Sequence, residues 1–127
     1  MKFSRQSRLL KPAEFKQVFQ QPVRSGDSYF RILACANEIQ RHRLGMAVAK
    51  KAIAKAVGRN RIKRLVRESF RATMTAQAPE SALDFVVLPT AMAANQSNEA
   101  LRESLSAHWP RLIKKAGNRQ DRLRTTG

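Results

Sequence analysis

Between Lys50 and Arg71 the chain carries nine basic side chains and one acidic one, Glu68, in 22 residues. Residues 57–74 (VGRNRIKRLVRESFRATM) also repeat with a helical period. At about 100° per residue, Ile62, Leu65, Val66, Ser69, Phe70 and Thr73 share one arc. Asn60, Lys63, Arg64, Arg67 and Arg71 share the adjoining arc. The first arc must be covered by a sheet or another helix. Like charges three and four residues apart disfavour the isolated helix, so a polyanion is the natural cover for the second. Charged helix faces normally mix signs; this one does not, and arginine's planar fork suits bidentate phosphate contacts. Asn60 adds a donor and an acceptor for an edge or a sugar.

The rest of the charge is distributed unevenly. The 127 residues have a net charge of +16. Half of it, +8, lies in residues 50–71; residues 1–49 hold +6, residues 72–110 hold −3 and the last 17 hold +5. Blocks confined to the ends would suggest a histone-like or ribosomal tail, and this pattern differs. Cys35 is the only cysteine, which excludes an intramolecular disulfide framework. The longest uncharged stretch, Phe85 to Asn98, contains Pro89, Asn95, Gln96 and Ser97 and falls short of the ~20 apolar residues of a membrane span. The start, MKFSRQSRLLK, lacks the apolar stretch of a signal peptide. The expectation is one soluble cytoplasmic domain over 1–127, ordered from about 4 to 116, with a flexible basic tail over 117–127.

Residues 12–20 (PAEFKQVFQ) predict a short helix, with Pro12 in its first turn and Phe15, Val18 and Phe19 on one face. Residues 21–27 are turn chemistry. Tyr29 to Cys35 and Leu44 to Lys50 predict strands. In the second, Leu44, Met46 and Val48 alternate with Gly45, Ala47 and Ala49. The small face leaves room either for a closely packed helix or for a shallow ligand groove. The stretch 78–81 breaks the chain before a third strand, Leu83 to Leu88, which Pro89 ends. A last helix over about 98–116 buries Leu101, Leu105, Trp109 and Leu112; Gly117 is placed to stop it, and Pro110 to kink it. The order α-β-β-α-β-α predicts an α+β fold, a single small domain with a mixed sheet packed by helices. The first two strands are expected to pair as antiparallel neighbours, and the second and third to run parallel.

Catalytic chemistry is not visible. The nine acids are scattered, whereas a two-metal nuclease needs carboxylates converging on one site. No metal-ligand spacing and no Gly-rich phosphate loop is present. His42 and His108 are explained as surface or packing residues, and Cys35 as a small apolar one.

The segment KKAIAKAVGRNRIKRLVRESFR (50–71) closely resembles the signature of the bacterial ribonuclease P protein subunit, centred on Arg59-Asn60-Arg61, Ile62-Lys63-Arg64 and Arg67. The likeness extends to Leu44–Lys51, to Arg8-Leu9-Leu10 with Glu14–Phe19, to Asp84-Phe85-Val86-Val87, and to Leu101, Leu105 and Trp109. It covers about residues 4 to 115. The resemblance implies the small partner of a catalytic RNA that removes the 5′ leader from precursor tRNA. Chemistry then belongs to the RNA and its Mg2+, none being bound by the protein, in a 1:1 protein–RNA assembly without membrane. It assigns catalytic-RNA contacts to Lys50, Lys51, Arg59, Asn60, Arg61, Lys63, Arg64, Arg67 and Arg71. It assigns the single-stranded leader to a cleft of Phe15, Lys16 and Phe19 facing Arg31, Leu33, Ala47 and Ala49, since aromatic walls and basic rims suit unpaired bases. It also implies a left-handed crossover between the second and third strands. A ribosomal-type RNA-binding protein, a nucleoid-type DNA binder and a free-standing nuclease are the rival readings.

Overall fold

The computed structural model describes residues 11–37, 39, 41–74 and 82–125, with side chains to Arg119. The Arg8-Leu9-Leu10 match and the break at 78–81 lie outside the described residues. The elements are α1 (Pro12–Gln20), β1 (Val23–Gly26), β2 (Phe30–Ala36), β3 (Arg43–Met46), α2 (Ala56–Met74), β4 (Leu83–Pro89), a 3-10 turn (Ala91–Asn95) and α3 (Asn98–Thr125). This is the expected α+β domain with a mixed sheet, enlarged by one short strand. The four strands lie in the order β1-β2-β4-β3. β2 is antiparallel to both β1 and β4, whereas β3 runs parallel to β4.

Three expectations are corrected. Residues 23–26, read as turn, form edge strand β1; Arg24, Ser25 and Gly26 show no apolar alternation, and their pairing comes from β2. The turn itself is tighter: Asp27 Oδ1 accepts the backbone N–H groups of Tyr29 and Phe30 at 2.8 and 2.9 Å. Second, β2 and β3 are not neighbours, because β4 lies between them. The unbroken apolar run LDFVVL is the signature of a strand buried on both faces, and β4 is buried at six of its seven positions. Third, Gly117 does not end the last helix, which contains Pro110 and continues to Thr125. From Gly117 to Thr125 the backbone is helical.

Strand alternation sorts the sheet into two faces. Phe30, Ile32 and Ala34 of β2, Leu83, Phe85 and Val87 of β4 and Leu44 of β3 face α2 and α3. There Phe85 meets Phe70 and Trp109 edge-on, with centroids 5.7 and 5.5 Å away, the T-shaped geometry that ring quadrupoles favour. Trp109 Nε1 donates to Ser69 Oγ at 2.9 Å, which explains the polar interruption on the buried arc of α2. On the opposite face Val18 of α1 packs against Leu33 and Val86, with Phe15, Cys35 and Leu88 around them.

Candidate RNA-binding surfaces

The first surface is α2. Its buried positions are Ile62, Leu65, Val66, Phe70 and Met74. Asn60 and Arg64 are exposed, and Lys63, Arg67 and Arg71 are half-buried on the adjoining face. Lys50 and Lys51, on the approach to the helix, are exposed. The two outer members of the Arg-Asn-Arg triplet have a structural duty that sequence reasoning missed. Arg59 donates Nη1 to the carbonyls of Ile53 and Ala54 at 2.9 and 2.7 Å, closing the loop that leads into the helix. Gly58 permits that closure: a Cβ there would lie 3.2 Å from Ile53 Cγ2. Arg61 turns to the other flank, donating to Asn98 Oδ1 at 2.6 Å and to the carbonyls of Ala93 and Ala94 at 3.4 and 3.3 Å. Guanidinium carries five N–H donors, so both retain donors beyond these bonds. Between α2 and the start of α3 lies a groove of about 410 Å³ that includes Val57, Asn60, Arg64, Glu68 and Arg102. Glu68, the one acid of the basic segment, stands 4.0 Å from Arg102.

The second surface is the α1 face of the sheet. Register places three cross-strand rows on it: Cys35–Asp84–Arg43, then Leu33–Val86–Gly45, then Arg31–Leu88. Ala47 extends the third row, its N–H donating to Val87 O at 3.0 Å. α1 covers the middle row. Leu33 is therefore buried beneath Val18, and Phe15 is half-buried in the same cluster. Phe19 is 46% exposed at the helix edge. Lys16, Arg31, Ala47 and Ala49 are exposed. Along the Gly/Ala face Gly45 is buried, while Ala47 and Ala49 are exposed.

An ionic clamp fixes α1 to the sheet. Arg43 donates Nε and Nη2 to the two oxygens of Asp84 at 2.8 and 2.7 Å, a bidentate fork. Its Nη1 donates to Glu14 Oε2. Glu14 Oε1 accepts the Lys11 backbone N–H at 2.8 Å, which caps the first turn of α1. Asn37 completes the buried site by donating to Asp84 Oδ1 at 2.7 Å. Beside it, burial pushes the Cys35 thiol pKa up and Asp84 adds to that, against the pull of Arg43 and Arg119.

The remaining polar cluster joins α3 to the β1–β2 turn. His108 is fully buried; Nδ1 lies 2.6 Å from Ser25 Oγ and Nε2 3.1 Å from Asp27 Oδ2. Asp27 also accepts a hydrogen bond from Ser104 Oγ. Burial opposes the charge on Asp27, but the bonds from Ser104, Phe30 and Tyr29 and the nearby His108 hold its pKa below the usual value. His108 is thus a packing residue with a polar role. No group of three or more His, Cys, Asp or Glu among the described residues is arranged to hold a metal ion.

Comparison with known proteins agrees with this arrangement. The family model described as Ribonuclease P matches residues 3–113. The ribonuclease P protein components of Aliivibrio fischeri and Vibrio vulnificus are each 48% identical over 110 residues, covering 87% of this chain and 92% and 91% of theirs. That of Methylococcus capsulatus is 45% identical over 107 residues, covering 84% of this chain and 81% of its own. Among solved structures, the Staphylococcus aureus RNase P protein superposes with a TM-score of 0.72 at 30% identity, covering 87% of this chain and 94% of its own. The Thermotoga maritima protein gives 0.66 at 30% identity, with 77% and 90% covered. By fold and by sequence, the chain belongs to the ribonuclease P protein component family.

Proposed function

We propose that this protein subunit serves its ribonucleoprotein through two separate RNA contacts. The α2 face, with Asn60, Lys63, Arg64, Arg67 and Arg71 and the exposed Lys50 and Lys51, binds the catalytic RNA subunit. Arg59 and Arg61 anchor that face and offer it their remaining donors. The open part of the α1 face receives the single-stranded 5′ leader of precursor tRNA, with Phe19 as the stacking platform, Lys16 and Arg31 on the phosphates, and Ala47 and Ala49 as a flat floor. Leu33 and Phe15 support that floor and wall from beneath. In this reading one protein joins one RNA, the cut is made by the RNA with its bound Mg2+, and the protein raises affinity for the uncut substrate.

The observation that carries the reading is the separation of the two surfaces. α1 packs on one face of the sheet and α2 on the other, so each can engage a different strand of RNA at once. Cleavage of precursor tRNA by the cognate RNA at low Mg2+, with and without the chain, tests it. Added protein should lower the substrate concentration needed for half-maximal rate. Unchanged affinity and turnover would refute it. Co-sedimentation with ribosomal subunits and equal binding of precursor and mature tRNA would favour the ribosomal-type alternative instead.

A further inference from the structure

The family match ends at residue 113, yet α3 continues to Thr125 as one helix. The last 14 residues carry Lys114, Lys115, Arg119, Arg122 and Arg124 against one acid, Asp121. Complementing the helix dipole does not account for Lys114 and Lys115, because that effect is confined to the last turn and they stand about three turns before the end. Two long-range bonds define the position of the extension. Lys115 Nζ donates to Arg24 O, and Arg119 Nη1 donates to Gln21 O at 2.5 Å. Gln21 is the residue that ends α1, the helix that carries Phe15 and Phe19, and Arg119 is also close enough to act electrostatically on Cys35, on the α1 face of the sheet. The extension therefore stands at the C-terminal mouth of the α1 groove. Lys115, Arg119 and Arg24 are exposed there, and Lys114, the preceding residue of the same helix, is exposed as well. Lysine has three donors and arginine five, so one carbonyl each leaves the charge and most donors of Lys115 and Arg119 unspent.

We propose that the α3 extension, through Lys114, Lys115 and Arg119, binds the phosphates of the single-stranded leader where it leaves the α1 groove at the Gln21 end. The inference rests on the leader-groove reading and deepens it: the groove holds bases, the extension holds backbone. Phosphate binding at this point is sequence-independent, strongly salt-dependent and felt only by leaders long enough to pass the end of α1.

The test compares precursor tRNAs with leaders of about 4 and about 12 nucleotides, bound to the assembled ribonucleoprotein over a range of salt. Each phosphate neutralised on a single strand contributes about −0.7 to the slope of log affinity against log salt, so three should steepen the long-leader slope by about 2. The triple variant Lys114→Gln, Lys115→Gln, Arg119→Gln should abolish that difference while leaving short-leader affinity unchanged, which also shows it folded. Lys114→Gln alone, at a side chain with no hydrogen bond among the described residues, should remove about 0.7. Equal slopes for the two leaders, or a difference that survives the triple variant, would overturn the proposal. Equal loss on both leaders would also overturn it and make the extension a brace for the 21–24 connection. If the unaltered protein failed to prefer either precursor over mature tRNA, the groove reading itself would fall, a result distinct from these.

Discussion

Replacing Arg43 by methionine tests the packing that sets the position of α1. In the folded protein Asp84 is 1% exposed and takes both its strong bonds from one guanidinium. Methionine keeps most of the stem's packing and leaves the carboxylate with Asn37 as its described partner. Breaking a buried ion pair from one side costs about 3–5 kcal/mol, because an uncompensated charge remains. The Arg43 side chain is 11% exposed and Glu14 22%, so water can relieve part of this and about 3 kcal/mol is the expected loss. For a domain of this size that lowers Tm by roughly 10–20 °C. Urea unfolding followed by circular dichroism gives the number directly. The double variant Arg43→Met, Asp84→Leu removes both charges and should recover most of the loss. Glu14→Gln, at the more exposed end of the clamp, should cost about 1 kcal/mol or less. A single-variant loss below about 1 kcal/mol, or a double variant that simply adds two losses, would refute the clamp as the element tying α1 to the sheet.

Three further outcomes are expected. Phe85→Ala, which empties the centre of the Phe70–Phe85–Trp109 group, should cost about 3–5 kcal/mol in the same urea titration. Arg61→Ala should destabilise the protein by about 1–2 kcal/mol through its lost bonds to Asn98 and the 3-10 turn, whereas Arg64→Ala should leave Tm unchanged. Stability should fall on the acid side. Burial holds the His42 imidazole below its ordinary 6.5, and its Nδ1 accepts the Leu83 N–H at 3.0 Å through a lone pair that the neutral ring supplies. This contribution is complete above pH 6.5 and is lost as pH falls through the folded-state value. Asp27, held below 3.8, adds a second loss at still lower pH. Thermal melts from neutral pH downward should show the first decline, and His42→Asn should flatten it.

Elements with their own periodicity were legible in the sequence. The basic helix, the first helix and the two longer strands each repeat apolar residues at one spacing, and Arg59-Asn60-Arg61 identified the family before any geometry. Features made by partners distant in sequence were not. β1 has no pattern of its own and exists because β2 pairs with it. The place of β4 between β2 and β3 is decided by burial on both faces, which the run LDFVVL hints at without fixing its neighbours. Glu14, Arg43 and Asp84 are unremarkable charges until the fold brings 70 residues of separation to hydrogen-bond distance. Arg59 and Arg61 look like surface cations in a basic run, yet their chain-internal carbonyl partners give them a second duty. Gly117 signals a stop that the helix ignores; no tertiary neighbour or positive φ demands a turn there, and a Cβ at that position would meet open space.

The central claim is that one protein presents two RNA surfaces, one for the catalytic RNA and one for the leader. The most direct measurement pairs two variants with two affinities: Phe19→Ala and Arg64→Ala, each assayed for assembly with the catalytic RNA and for precursor over mature tRNA preference. Phe19→Ala should lower the preference by about 1–3 kcal/mol, the worth of one base–aromatic stack, and leave assembly unchanged. Arg64→Ala should weaken assembly and reduce its salt slope by just under one unit, leaving the preference of the assembled particle intact. Equal losses in both assays for both variants would contradict the claim and reduce the two surfaces to one.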